Sequence, residues 1–136
     1  MCKLGDIIVV NKYTSEEGKE IGRRSFVVID DNPNSIRGID YTFVTTVISS
    51  FKSKKHRDKK LKYKGNIEVF YFEKYGLKTE FKNSSYIKAD KLFYFNKDKI
   101  DYYFFGRVTD DLLDELIKLI IQLEKENKVT HVINNI

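Results

Sequence analysis

Apolar positions along this chain fall into short runs divided by polar, glycine-punctuated stretches, and only near the end do they take up a helical spacing. The run "DIIVV" (6–10) predicts a first buried strand, and "RSFVVID" (24–30) a second, apolar enough on both faces to be central in a sheet. Between them and the next strand, "DNPNSIRG" (31–38) is turn chemistry: Asn and Asp tolerate left-handed backbone, and Pro33 presets one dihedral. "YTFVTTVISS" (41–50) predicts a β-branched third strand, "NIEVFYFE" (66–73) a fourth, and "SYIKADKLFYF" (85–95) a fifth with a break near Ala89–Asp90. A short aromatic sixth follows in "YYFFGRV" (102–108). Strict alternation in the fourth strand would send Phe70 and Phe72 to the core and leave Tyr71 and Tyr75 outside, where aromatic rings could stack on unpaired bases.

The period then changes. In "TDDLLDELIKLIIQLEKENK" (109–128), Leu112, Leu116, Leu119, Ile120 and Leu123 recur every three to four residues, and Leu113 and Ile117 widen the stripe. Thr109 or Asp110 can cap the start, and the acidic first turns suit the positive end of the helix dipole. The tail after Asn127 is expected to fray. Strands in series followed by one helix give an α+β, mostly β, domain or small barrel. Pairing should be mainly antiparallel, because a helix that follows the strands cannot serve as a crossover.

A length of 136 residues suits one domain, spanning 1–136, and a chain 41% hydrophobic and 33% charged can bury a core and remain soluble. No apolar run approaches the ~20 residues of a membrane span, and the N-terminus lacks a signal-peptide layout, so a cytoplasmic protein is expected. The single cysteine, Cys2, allows no internal disulfide and reads as a terminal bystander. His56 and His131 lie far apart, with no metal-ligand spacing, and no cofactor is expected.

Charge sharpens the picture more than composition does. The formal net charge is +5, yet "KSKKHRDKKLKYK" (52–64) alone carries +7, leaving −2 for everything else. A focused basic segment on a slightly acidic body favours a polyanionic partner, although a flexible solubilising loop has the same composition. Lys52, Lys54, Lys55, His56, Arg57, Lys59 and Lys60, with Arg23 upstream, are therefore candidate RNA-binding residues. Histidine ordinarily titrates near neutrality, so His56 could act as a base, but a contact to phosphate suits its lysine-rich surroundings better.

Several catalytic patterns are missing: the chain has no Walker loop, no Gly-x-Ser-x-Gly elbow and no His-Glu-x-x-His. Arginine, hydroxyls and carboxylates remain, and these suffice for RNA cleavage, because RNA supplies its own nucleophile in the 2′-hydroxyl. The protein then orients the strand and stabilises charge on the phosphorane oxygens, a task that suits the planar fork of an arginine.

Five segments in order, "GDIIVV", "GKEIGRRSFVVI", "FVTTVISS", "SYIKADKLFYFNKDKI" and "GRVTDDLLDELIKLI", together resemble the MazF/PemK family of toxin endoribonucleases over roughly Gly5 to Leu123. The resemblance implies a small SH3-like barrel with a C-terminal helix and a homodimer. It further implies a metal-independent nuclease that cuts single-stranded RNA to a 2′,3′-cyclic phosphate, and a cognate antitoxin partner. It makes Arg24 the catalytic arginine, with Arg23 as the near alternative, although Ser25 stands where the family usually has proline. The family's catalytic threonine position falls on Ile48, so the candidate hydroxyls are Ser49, one residue on, and Thr46, two residues back on the face of Ile48. Two other readings stand beside this one. Arg24 could simply pair with Glu20 or Asp30 at the surface, a contact worth little. The missing threonine also fits a non-catalytic RNA- or protein-binding module.

Overall fold

The computed structural model describes residues 3–136, so Cys2 lies outside the described residues. In chain order the elements are β1 (Asp6–Val10), β2 (Tyr13–Thr14), β3 (Glu20–Ile21), β4 (Arg24–Asp30), β5 (Asn34–Ile36), β6 (Ile39–Tyr41), β7 (Phe43–Ser50), α1 (Lys54–Leu61), β8 (Asn66–Lys74), β9 (Leu77–Lys88), β10 (Lys91–Phe95), β11 (Tyr102–Arg107), α2 (Asp110–Lys125) and β12 (Thr130–Asn135). Six strands run β7-β4-β1-β11-β8-β9, all antiparallel, and β9 closes the ring by pairing Ile87 with Ile48 of β7. The result is a small SH3-like barrel, mostly β, with helical additions.

Both faces of β1, β4 and β7 are buried, which is why their sequences are continuous apolar runs rather than alternating ones. Inside the ring, Ile7, Val27, Ile48, Ile67, Val69 and Ile87 meet Leu116, Ile120 and Leu123 of α2. On the outer face, Ile8, Val10, Phe26, Val28 and Val47 form a second cluster with Phe93 and Phe95 of β10. The β2–β3 hairpin covers this outer cluster with Tyr13, whose ring stands edge-on to Phe26 at 5.1 Å and to Phe93 at 5.7 Å. Aromatic pairs in that geometry add about 1 kcal/mol beyond the area they bury.

Three sequence expectations need correction, and one open point is filled in. Within the basic segment Lys54–Leu61 is helical: Ser53 caps α1 by accepting from the backbone N–H of His56, and lysine is a good helix former. The tail does not fray: β12 pairs in parallel with β10, so α2 does act within a crossover between them. The reversal after α2 is a left-handed cap at Asn127 (φ +55°), with Lys128 N–H donating to the Leu123 carbonyl at 2.9 Å, and it delivers Val132 to the outer cluster. β9 begins at Leu77, well before residue 85, because a two-residue turn at Tyr75 and Gly76 (φ +53° and +77°) returns the chain directly along β8. Finally, a bulge between Val69 and Tyr71 breaks the alternation, so Phe70 is exposed while Val69 and Phe72 are buried. The expected break at Ala89–Asp90 is present: it divides β9 from β10, and both lie alongside β7.

Candidate nucleic-acid interface

Register decides which hydroxyl faces Arg24. Ser25 of β4 pairs with Ile48 of β7, and the next step of that antiparallel ladder sets Arg24 beside Ser49. Both belong to the outer face, with Phe26 and Val47, so no bulge is needed to bring them together. Ile48 and Thr46 point the other way. Thr46 is fully buried and its Oγ1 has no hydrogen-bond partner, so it lies sealed in the barrel interior and cannot meet a substrate held at Arg24.

Arg24 and Ser49 line a common cavity of about 190 Å³ with Tyr13, Lys88, Lys91 and Phe93. Its roof is the β2–β3 hairpin, which contributes Glu16 and Glu17. Glu16 pairs with Lys91 at 3.7 Å, and Glu20 is taken by Lys12 at 3.0 Å. Among the described residues, neither Arg24 nor Lys88 forms an ion pair, so the expected surface contact of Arg24 with Glu20 or Asp30 is not made. Burial depresses the Lys88 pKa, and repulsion from Lys91, Lys60 and Arg24 adds to the effect. Arg24 and Lys88 thus bring unpaired positive charge to a cavity whose roof also carries the carboxylates of Glu16 and Glu17.

The neighbouring phenols report the same field. Burial pushes the Tyr13 hydroxyl up, and the facing Arg24 guanidinium pulls back against it. Burial likewise raises Tyr86, against opposing pulls from the Ser49 hydroxyl and Arg24. Tyr86 sits opposite Ser49 in the β7–β9 ladder and is 2% exposed, so a buried phenol flanks Ser49 on the same face. The roof is held in turn by β12: Asn135 accepts from Thr14 N–H at 2.6 Å and donates to the Thr14 carbonyl at 2.9 Å, and Asn134 donates to the Ser15 carbonyl at 2.7 Å.

From this cavity a cationic track leads to α1. Lys60 acts on Lys88, and His56 is held below its ordinary pKa by burial first, then by Lys60, Lys52, Lys59 and Lys88. His56 Nδ1 accepts from Lys52 N–H at 3.0 Å and the ring stands edge-on to Phe51 and Tyr86, so it terminates the helix start rather than facing a phosphate as a cation. Lys52, Lys54, Lys55 and Lys59 are exposed and Lys60 is half-buried. Arg57 is engaged elsewhere, in a bidentate pair with Glu68 at 2.7 and 2.9 Å that anchors α1 to β8. Arg23 is exposed just before β4 and does not line the cavity.

The residues missed in sequence are Tyr13, Lys88 and Lys91. A signal existed for the lysines: in "SYIKADK" they flank the strand break, where the chain leaves one part of β7 for another. Comparison with protein-family models finds none that matches this chain, and comparison with curated proteins finds no significant relative.

Proposed function

We propose that the chain is a metal-independent endoribonuclease toxin of the MazF/PemK type, cleaving single-stranded RNA to a 2′,3′-cyclic phosphate. The observation that carries this reading is the cavity in which Arg24, Ser49 and Lys88 converge with neither cation paired to a carboxylate. RNA phosphate would sit among them. Arg24 would hold the non-bridging oxygens as charge builds on them, and the Ser49 hydroxyl would orient the reacting ribose. The 2′-hydroxyl loses its proton to solvent water as its oxygen attacks phosphorus, and the 5′-oxygen departs; the Lys88 ammonium, made a readier donor by its depressed pKa, supplies the leaving oxygen with a proton and regains one from solvent. Along the flanking backbone, Lys52, Lys59 and Lys60 would follow the phosphates. A cytoplasmic homodimer controlled by an antitoxin that covers the RNA groove completes the reading, on the strength of the sequence resemblance.

A second reading keeps the fold and the RNA but not the chemistry, and Ile48 at the expected threonine position favours it. One experiment separates them. A long RNA is incubated in EDTA with the wild type, Arg24→Ala and Ser49→Ala. Cleavage should fall by about 10²- to 10³-fold for Arg24→Ala and by a smaller factor for Ser49→Ala. Equal cleavage by wild type and Arg24→Ala rejects the catalytic site, and salt-sensitive binding without cleavage selects the binding module.

A further inference from the structure

Lys88 stands on the face of β9 that also carries Tyr86, two residues back, and Tyr86 lies opposite Ser49. The Lys88 Nζ lies over the Tyr86 ring, 6.0 Å from its centroid, and the side chain lines the same cavity as Arg24, Ser49 and Lys91. The two carboxylates of the roof are engaged elsewhere. Glu16 pairs with Lys91 at 3.7 Å, and hydrogen bonds from its own backbone and from Ser15 hold Glu17 below the ordinary carboxylate range. Lys88 is half-buried and, among the described residues, forms no ion pair. Burial first, then repulsion from Lys91, Lys60 and Arg24, shifts it toward its free amine. A free amine is a nucleophile, which a protonated, solvated lysine is not.

An amine nucleophile beside an arginine that no carboxylate holds fits one class of reagent. In an acyl phosphate, the electrophilic carbonyl carbon and the phosphate share a bridging oxygen, so seating the phosphate also places the carbon. We infer that Lys88 is an acylation site, at which Arg24 seats the phosphate of an acyl phosphate and the Lys88 amine attacks its carbonyl carbon. The nitrogen–carbon bond forms, the bond from that carbon to the bridging oxygen breaks, and inorganic phosphate leaves with the electron pair. The nitrogen gives up one proton to solvent, and the product is a neutral amide. Acylation removes a positive charge from the cavity and adds bulk to it, so it closes the cavity to RNA. The acylation rests on reading the Arg24 cavity as a phosphate site, and the closure rests in addition on the nuclease reading.

The test incubates the intact protein with acetyl phosphate and follows acetylation lysine by lysine by peptide mass spectrometry. Lys88 should be acetylated about tenfold faster than Lys118, which is exposed on α2, and the lead should disappear in Arg24→Ala, since one charge-assisted contact is worth about that factor. Inorganic phosphate in excess competes for the same seat and should remove the lead in the wild type, a readout that does not depend on how Arg24→Ala folds. Lys88 acetylated no faster than Lys118 overturns the site, as does a lead that survives excess phosphate or persists in a folded Arg24→Ala. If the wild type cuts no RNA, the nuclease reading fails by itself, and these rates still decide the acylation site. If it cuts, cleavage should fall in step with Lys88 occupancy. Unimpaired cleavage by protein acetylated at Lys88 overturns the closure.

Discussion

Thr46 and Ser49 are three residues apart on one strand and have opposite fates. An odd separation on a strand puts them on opposite faces, so β7 sends Ser49 to the cationic cavity and Thr46 to the barrel interior. A buried hydroxyl without a partner has lost its water and gained nothing in return. Thr46→Val, nearly the same shape, should therefore stabilise the fold by about 1 kcal/mol, measured by urea unfolding, and leave RNA cleavage as in the wild type. Lost cleavage in a stable Thr46→Val would return the catalytic role to that hydroxyl. Arg24 was legible in the sequence because a charge at the seam between a polar loop and an apolar run must lie where a strand starts. Its partner was not, because the choice among Thr46, Ile48 and Ser49 depends on a cross-strand register that no single strand contains.

At the scale of elements, legibility followed how each segment buries its apolar groups. The helix stripe through Leu116, Ile120 and Leu123 and the doubly buried strands write their structure into spacing. The first half of β9, "LKTEFKNS", is almost wholly exposed and carries no such pattern; its partner β8 and the Tyr75–Gly76 turn define it. α1 buries no residue and is fixed by its cap and the Arg57–Glu68 pair. β12 offers one buried side chain, Val132, to the outer cluster. Val132→Ala should cost about 2 kcal/mol in denaturant titration. Because Asn134 and Asn135 on the same strand hold the hairpin, that variant should also speed amide exchange at Thr14; exchange as slow as in the wild type would show the hairpin held independently of β12.

The turn between α2 and β12 carries a pH dependence. Glu126 accepts from Lys64 and from Gln122 at 2.7 Å, and Lys128 adds an ion pair at 3.2 Å. These contacts, hydrogen bonding by Lys64 foremost, lower its pKa from 4.5 to about 2. A carboxylate depressed in the folded state binds its proton more tightly in the unfolded chain, so its stabilisation is complete above 4.5 and disappears as pH falls toward about 2. Glu126 is half-buried, but its partners Lys64 and Lys128 are exposed, so the effect is small and screened by salt. Melting temperatures of wild type and Glu126→Gln should converge as pH drops through that window, and a gap that stays constant from pH 5 to pH 2 would exclude Glu126 as its source.

For the molecule as a whole, the question is whether its basic segment forms one surface with the cavity or only keeps the protein in solution. The sequence located the charge between residues 52 and 64 but could not say what lay beside it, since Lys88 and Arg24 come to it from distant strands. In the fold, Lys52 and Lys60 surround His56, Lys60 repels Lys88, and Lys88 shares a cavity with Arg24. A polyanion following that track must displace counterions from Lys52 and Lys60, whereas Lys118, exposed on α2 and outside the cavity lining, lies off it. The salt dependence of binding counts such contacts. For a single-stranded RNA, changing Lys52 and Lys60 to Gln should reduce the slope of log affinity against log salt concentration by about 1.4, at about 0.7 per phosphate contact. Lys118→Gln should leave it unchanged. Equal slopes for wild type and the double variant would make the lysines of α1 a solubilising surface, and would confine nucleic-acid contact to the cavity under the β2–β3 hairpin.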